Sequence, residues 1–228
     1  MSIALSPGFV VAIDGPAGAG KSTVARGLAL RLGYTFLDTG ALYRTVAFVA
    51  KQRKVPWDAG VQLGELAERL TILFAKDGEQ VRVLADDQDV TLGIRTPEIS
   101  DGASRVSALP EVRAGLLELQ RRVATSANVV AEGRDVGTVV FPSAQAKFFL
   151  IANPETRAMR RALELQAKGQ PAQVADVLAD MRVRDERDSA RAVAPLRRAD
   201  DAIEIDTSTL TPEQVIARMA EVVRVRGG

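Results

Sequence analysis

The sequence contains no cysteine and no histidine, and aromatic residues make up only 4% of its 228 residues. Without cysteine there is no thiolate nucleophile and no disulfide, and without histidine there is no Ser-His-Asp triad. Zinc sites built from His or Cys ligands are excluded for the same reason. Any catalysis must therefore use carboxylates, lysines, arginines, hydroxyls, backbone groups or a hard cation.

Long apolar runs are also missing. The longest stretches, such as residues 9–13 and 148–152, are far shorter than the roughly 18 residues that a membrane helix needs. The first nine residues carry no basic segment of the kind that begins a signal peptide. We therefore expect a cytoplasmic protein with no membrane partner, folded as a single domain over residues 1–228.

Charge of one sign is not in excess, because 30 Lys and Arg face 29 Asp and Glu, for a net charge of +1. This balance argues against a nucleic-acid partner held by bulk electrostatics. Arginine is nevertheless concentrated in one short segment, at Arg182, Arg184, Arg187, Arg191, Arg197 and Arg198. The planar guanidinium suits phosphate, although a general bias toward arginine at basic surface positions is an alternative explanation.

Strand patterns alternate with helical patterns along the chain. The first unit is a strand at 9–13, a turn at Asp14 and Gly15, and a helix at 22–32. Further strands are predicted at 35–38, 129–131, 147–151 and 202–205. Helices are predicted to start at Thr96-Pro97-Glu98, Asn153-Pro154-Glu155 and Thr211-Pro212-Glu213. The alternation predicts an α/β fold, with a parallel sheet and helices on both of its faces.

The pattern changes between residues 57 and 95. A helix is predicted around residues 63–70, followed by strands at 71–75 and 80–84. The strands are separated by Lys76-Asp77-Gly78-Glu79, and Asp-Gly between two apolar runs favours a hairpin. We predict a small inserted α+β subdomain here, with some antiparallel sheet.

Residues 15–22, Gly-Pro-Ala-Gly-Ala-Gly-Lys-Ser, match the phosphate-loop pattern G-x-x-x-x-G-K-[ST]. The match lies between a predicted strand and a predicted helix, which is the context that the motif requires. Glycines let backbone N–H groups surround a phosphate, and the helix start adds partial positive charge. In this pattern Lys21 reaches the β- and γ-phosphates and the Ser22 hydroxyl faces Mg²⁺. The sequence therefore predicts nucleotide phosphate binding.

Other residues separate the classes of phosphate-loop protein. Guanine-specific members usually carry Asn-Lys-x-Asp, but the only asparagines here, Asn128 and Asn153, are followed by valine and proline. Motor ATPases place Asp-Glu after an apolar strand to hold a water, whereas this chain has Glu132-Gly133-Arg134-Asp135. The pattern therefore argues against a switch GTPase and against a protein built to hydrolyse ATP.

Four segments together resemble the bacterial-type cytidylate kinase family: GPAGAGKST at 15–23, LDTGALYR at 37–44, AEGRDVGTVVFP at 131–142 and RDERDSARAVAPL at 184–196. The resemblance covers essentially the whole chain, including DVTLGIRTPEIS at 89–100. It implies a phosphate-loop nucleoside monophosphate kinase that uses ATP and Mg²⁺ to phosphorylate CMP or dCMP. We expect a monomer.

The resemblance also implies roles for individual residues. It assigns ATP binding to Gly15, Pro16, Ala17, Gly18, Ala19, Gly20, Lys21, Ser22 and Thr23, with Arg157 near the adenine and Ser22 on the metal. It assigns the phosphates to Arg44, Arg134, Arg184 and Arg191, and the sugar, or the orientation of those arginines, to Asp188. It assigns cytosine to Ser104, Arg113 and Asp135, and the rim of the acceptor site to Asp38 and Thr39. Lys21, Arg134, Arg184 and Arg191 are the expected catalytic residues.

Several of these residues have simpler interpretations. Asp38 could cap the following helix, Ser104 could be an ordinary helix hydroxyl, and Arg113 could be a surface base. Residues 184–198 are predicted to form a lid that closes over the nucleotides, but they could also be a solvated helix face. Asp135 could simply pair with Arg113 or Arg134.

Competing functions remain open at this stage. A monophosphate kinase with another base preference, such as UMP or AMP, would carry the same phosphate loop. A nucleotide-dependent switch or an RNA-associated ATPase would use the arginine segment to hold a nucleic-acid backbone. The missing Asn-Lys-x-Asp and Asp-Glu signatures count against that second class.

Overall fold

The structure is a computed structural model that describes residues 8–77, 80–125 and 127–228. The described chain divides into two compact units. The phosphate-loop unit contains the described residues up to Leu37 together with Arg121–Gly228, and the central unit contains Asp38–Gln120. Within the described ranges, no helix is both long and apolar enough to cross a membrane.

Strands and helices are numbered in chain order. The strands are β1 (Val10–Asp14), β2 (Thr35–Asp38), β3 (Ile72–Asp77), β4 (Gln80–Ala85), β5 (Gln88–Asp89), β6 (Val129–Glu132), β7 (Ala146–Ile151) and β8 (Ile203–Asp206). The α-helices are α1 (Lys21–Leu32), α2 (Thr39–Gln52), α3 (Gly60–Arg69), α4 (Pro97–Val106), α5 (Pro110–Arg122), α6 (Pro154–Ala167), α7 (Val174–Ser189) and α8 (Pro212–Val225). Short 3₁₀ turns lie at Gly93–Arg95 and Val123–Thr125, and a short π-helix lies at Val136–Val140.

A five-stranded sheet with the order β2, β6, β1, β7, β8 forms the centre of the phosphate-loop unit. The pairs β1 with β6, β1 with β7, and β7 with β8 are parallel. The predicted α/β fold with a parallel sheet flanked by helices is confirmed. The five strands predicted for this sheet begin and end within one residue of the observed bounds.

The two faces of β1 have different surroundings. Val11 and Ile13 lie in a buried cluster with Leu28 of α1 and Met219 of α8. Because successive side chains of a strand point to opposite faces, Asp14 points away from this cluster. Asp14 ends the strand at the carboxyl edge of the sheet, which is the edge where open α/β sheets bind ligands.

The three predicted helix starts are confirmed. Thr96, Asn153 and Thr211 each accept a hydrogen bond from a backbone N–H in the first turn, and each is followed by proline. The capping side chain supplies an acceptor to a helix amide that has none. Proline lacks an N–H, but an N–H at that position would have no acceptor within the helix.

The predicted lid at residues 184–198 begins in α7, which ends at Ser189. Residues 190–198 form no regular element. Helix α7 packs on α6 through a small apolar cluster that includes Ala158, Val177 and Met181. Closure of this segment over a nucleotide stays a prediction.

The central unit contains α2 to α5 and the sheet β3-β4-β5, which is antiparallel. Its buried core includes Leu42 and Val46 of α2, Leu63 of α3 and Leu116 of α5. The predicted antiparallel hairpin is confirmed by the pairing of β3 with β4, although Gly78 and Glu79 of its turn lie outside the described residues. Residues 57–95 as a subdomain of their own stay a prediction.

Candidate active site

The phosphate loop joins β1 to α1 over residues 15–20. Gly15 has φ 145°, and a Cβ placed there would lie 2.1 Å from the Leu150 carbonyl oxygen, so only glycine fits. Gly20 caps α1 with φ 85°, and the helix therefore begins at Lys21. The first amides of a helix have no intrahelical acceptor, and they lie here at the end of the loop. This geometry suits an anion.

Lys21 is buried, and its Nζ donates to the Pro16 carbonyl oxygen at 2.7 Å. Burial and, to a smaller extent, the nearby charges of Arg134 and Arg184 together lower the pKa of Lys21 to about 7, against the opposing effects of Glu132 and Asp14. Arg134 and Arg184 thus lie close enough to Lys21 in the phosphate-loop unit to disfavour its charge. A bound polyphosphate would remove this repulsion.

Asp188, near the end of α7, holds two of the predicted arginines. One carboxylate oxygen accepts from Arg134 Nε at 3.0 Å, and the other accepts from Arg191. Asp188 is only 1% exposed. Because a buried carboxylate needs compensating charge, Asp188 and its two partners form a fixed group. The contacts favour the interpretation in which Asp188 orients arginines.

Arg157, the residue predicted near the adenine, is buried beside the phosphate loop. It donates to the Ala17 carbonyl oxygen at 3.0 Å and to the Ala152 carbonyl oxygen at 3.1 Å, and it pairs with Asp185 of α7 at 2.5 Å. Arg157 therefore connects the loop to α6 and α7. Contact with adenine stays a prediction.

In the central unit, Asp38 caps α2 by accepting from the Ala41 N–H at 2.8 Å. The same carboxylate pairs with Arg44 at 2.6 Å and lies 3.5 Å from Arg95. The interpretation of Asp38 as a helix cap is therefore confirmed, and the same carboxylate also pairs with Arg44. Thr39, the first residue of α2, is buried beside it. Sequence analysis gave Arg95 no role, although this residue lies in the segment 89–100 that is part of the family resemblance, at the end of the 3₁₀ turn.

Two predicted cytosine residues are buried in the same unit. Ser104 lies on α4 and is 2% exposed, and Arg113 lies on α5 and is 7% exposed. The Arg113 guanidinium lies 5.7 Å from the Tyr43 ring centroid and donates to the Ser107 carbonyl oxygen at 3.2 Å. The interpretation of Arg113 as a surface base is wrong, because its charge is held inside by aromatic and carbonyl partners.

Asp135, the third predicted cytosine residue, is buried in the phosphate-loop unit directly before the π-helix. Its backbone carbonyl accepts from the Val139 N–H at 2.9 Å. Short π-helices occur frequently at functional sites. Glu132, also buried, ends β6 in the same segment and was not assigned a role from the sequence.

Asp14, at the end of β1, accepts from the backbone N–H groups of Val136 and Gly137 at 2.8 and 2.7 Å. Burial raises the pKa of Asp14 from 3.8 to about 6, while the two amides lower it, and Asp135 and Lys21 act weakly in opposite directions. Sequence analysis missed this residue, although its position directly before Gly15 was a visible signal.

The raised pKa of Asp14 predicts how stability depends on pH. Between pH 3.8 and about 6 the folded state binds a proton that the unfolded state has lost. This stabilisation is present in full below pH 3.8 and is lost as pH rises through 6, by roughly 3 kcal/mol in total. Urea unfolding of the wild type and Asp14→Asn at pH 4, 5, 6 and 7 should show the wild type losing stability relative to the variant. If the free energy of unfolding of the wild type, relative to that of the variant, stays constant or rises with pH, the raised pKa of Asp14 is contradicted.

Known proteins of one family resemble this chain over nearly its whole length. The family model described as Cytidylate kinase matches residues 11–225. A cytidylate kinase of Geobacter sulfurreducens is 50% identical over 99% of this chain and 97% of its own length. One of Stutzerimonas stutzeri is 47% identical over 97% and 98%, respectively. The crystal structure of TT1252 from Thermus thermophilus superposes with a TM-score of 0.50 at 19% identity, covering 98% of this chain and all of that one, and shows likeness of fold alone.

Proposed function

The chain belongs to the cytidylate kinase family, whose activity is transfer of the ATP γ-phosphate to CMP or dCMP, and from this premise we propose which of its residues perform the reaction. The acceptor is a phosphate oxygen that is already anionic, so no general base is required. Phosphoryl transfer depends mainly on alignment and on cations around the moving group. The absence of histidine therefore does not prevent this chain from catalysing phosphoryl transfer.

The phosphate loop is proposed to bind ATP. Its backbone amides and the start of α1 surround the phosphates, and Lys21 contacts the transferring group. Ser22 is exposed in the first turn of α1, and its hydroxyl is a hard oxygen donor of the kind that Mg²⁺ accepts alongside phosphates and water. Ser22 is the proposed metal ligand, and Mg²⁺ when bound neutralises phosphate charge.

Arg134, Arg184 and Arg191 are proposed to stabilise the transferring phosphate and the acceptor phosphate. The observation that supports this most is the buried Asp188 carboxylate, which accepts from both Arg134 and Arg191. The lowered pKa of Lys21 adds that the charges of Arg134 and Arg184 lie close to it. Asp188 fixes Arg134 and Arg191, so these two guanidiniums do not have to be ordered during the reaction. Residues 184–198 are proposed to close over the substrates and exclude water.

The central unit is proposed to supply Asp38, Thr39, Arg44, Ser104 and Arg113 to CMP. Arg44 would bind the acceptor phosphate, since its guanidinium is already oriented by Asp38. Ser104 and Arg113 would bind the cytosine. The protein is further proposed to act as a cytoplasmic monomer without a nucleic-acid partner.

A coupled assay tests the function directly. ATP is supplied with CMP, dCMP, UMP or AMP in turn, and ADP formation is measured with and without the acceptor. We expect ADP only when an acceptor is present, with CMP or dCMP as the best substrate. Steady ATP hydrolysis without an acceptor would support a switch or ATPase, and preference for UMP or AMP would support a kinase of another base class.

Asp135→Asn is expected to lower the ratio of kcat/KM for CMP to that for UMP at least tenfold, on the order expected for a mispaired buried group. Cytosine presents an amine donor beside an acceptor nitrogen, whereas uracil presents an acceptor oxygen beside an N–H. The Asp135 carboxylate accepts from the cytosine amine but repels the uracil oxygen. The amide of the variant can donate, so UMP turnover should fall less than CMP turnover.

The matched control is Asp201→Asn, an exposed aspartate of the same unit that pairs with Lys147. It should leave the CMP to UMP ratio unchanged. If CMP and UMP turnover decline in parallel in Asp135→Asn, then Asp135 supports the loop by pairing with an arginine and does not recognise the base.

A further inference from the structure

Asp14 is a buried carboxylate to which the proposed reaction assigns no role. It is 4% exposed and is followed directly by Gly15, the first residue of the phosphate loop. Strand β6 runs beside β1, with Ile13 opposite Glu132, and the Gly133 N–H donates to the Ile13 carbonyl oxygen at 3.0 Å. Strands β1 and β6 therefore end side by side. The chain continues from β1 into the phosphate loop and from β6 into residues 133–135.

Both oxygens of Asp14 are used by consecutive backbone donors. Oδ1 accepts from the Val136 N–H at 2.8 Å and Oδ2 accepts from the Gly137 N–H at 2.7 Å. Both residues are buried. A buried amide without an acceptor is costly, so the carboxylate fixes the backbone at this point.

The approach between Asp14 and residue 137 is close, and glycine at this position leaves it uncrowded. A Cβ at Gly137 would lie 3.3 Å from Asp14 Oδ2 and 3.2 Å from Lys147 Cδ, closer than ordinary contact. The sequence therefore leaves room for the carboxylate at this point of the backbone. A methyl group there would crowd both the carboxylate and the lysine stem, and one of them would have to shift slightly.

The fixed amides follow directly after Arg134 and Asp135. Arg134 reaches Asp188 at 3.0 Å from this segment. The far end of the π-helix is held separately, because Arg121 donates to the Val139 and Val140 carbonyl oxygens at 3.2 and 3.1 Å. Asp14 thus holds the end of the segment that is nearest to the two functional side chains.

We propose that Asp14 is a positioning residue for the acceptor substrate, which holds Arg134 and Asp135 in place relative to the phosphate loop through the amides of Val136 and Gly137. The proposal rests on the proposed roles of Arg134 and Asp135. It makes Asp14 act through these neighbours and not by contact with either nucleotide.

Asp14→Asn tests the proposal with little change of volume. The amide has one acceptor oxygen, and its NH₂ faces a backbone donor, so one of the two hydrogen bonds is lost. We expect kcat/KM for CMP to fall by about tenfold or more, with KM for CMP rising more than KM for ATP. The control is Asp206→Asn, which ends β8 and accepts from the Ser208 N–H at 2.8 Å, and whose activity should match the wild type. Equal increases in both KM values would mean that Asp14 supports the phosphate loop instead, and would overturn the proposal.

A double-mutant cycle tests whether Asp14 acts through Arg134. If it does, adding Asp14→Asn to Arg134→Ala should lower kcat/KM for CMP much less than Asp14→Asn lowers it in the wild type. Fully multiplicative losses in kcat/KM for CMP would show that Asp14 acts independently of Arg134 and would also overturn the proposal.

Two further measurements distinguish failure of the proposed function from failure of the inference about Asp14. If the wild type does not phosphorylate CMP, the proposed function fails, whereas a wild-type enzyme that works and an Asp14→Asn variant with unchanged kinetics reject this inference alone. Circular dichroism reports whether the variant is folded. If it is not, Gly137→Ala replaces it in the same assays, since its methyl group crowds the Asp14 carboxylate without removing it. The same shift in KM for CMP is expected, and unchanged kinetics reject the proposal.

Discussion

Lys21→Ala is expected to lower kcat by on the order of 10³-fold or more, because it removes the cation beside the transferring phosphate. The Lys21 ammonium is surrounded by Arg134, Arg184, Glu132 and Asp14, and burial lowers its pKa to about 7. Negative charge that develops on the phosphate favours the protonated amine, so Lys21 interacts more strongly as the reaction proceeds. The fold should persist, since the side chain donates only to the Pro16 carbonyl within its own loop among the contacts described.

Steady-state kinetics with saturating ATP and CMP measure the loss in Lys21→Ala, and circular dichroism establishes that the variant is folded. Lys51→Ala is the matched control, because Lys51 pairs with Glu98 on the surface of the central unit and should retain full activity. A folded Lys21→Ala variant with a third of the wild-type kcat would refute the role of Lys21.

Arg191→Ala is expected to lower kcat by about 10²-fold while changing the binding of either nucleotide alone much less. Arg191 is buried and paired with Asp188, which also holds Arg134. A guanidinium held in this way interacts most strongly when charge moves between donor and acceptor. The loss should therefore appear mainly in kcat.

Arg198→Ala provides the control for Arg191→Ala, since Arg198 lies in the same arginine-rich segment but is half exposed and 3.5 Å from Glu204. It should leave kcat within about twofold of the wild type, as expected for an exposed ion pair. Binding constants for ATP and for CMP, measured separately by calorimetry, complete the comparison. Equal losses in affinity and in kcat/KM, with kcat unchanged, would mean that Arg191 only binds substrate.

Local sequence patterns determined the fold class and the nucleotide-binding loop. The apolar run at 9–13 and the helical pattern at 22–32 surround a glycine-rich loop, and short-range preferences suffice to predict strand, loop and helix there. The helix starts at Pro97, Pro154 and Pro212 were equally local, because a cap and its proline are neighbours in the chain. The family resemblance came from motifs of this length.

Only the tertiary structure decided which charged groups meet. Asp188 lies 54 residues from Arg134, and Asp14 lies more than 120 residues from Val136 and Gly137, so no local pattern connects them. Parallel strands have no tight turn between them and bring distant segments to one edge of the sheet. The buried state of Arg113 and the lowered pKa of Lys21 have the same origin, since burial and charge proximity are properties of the packed chain.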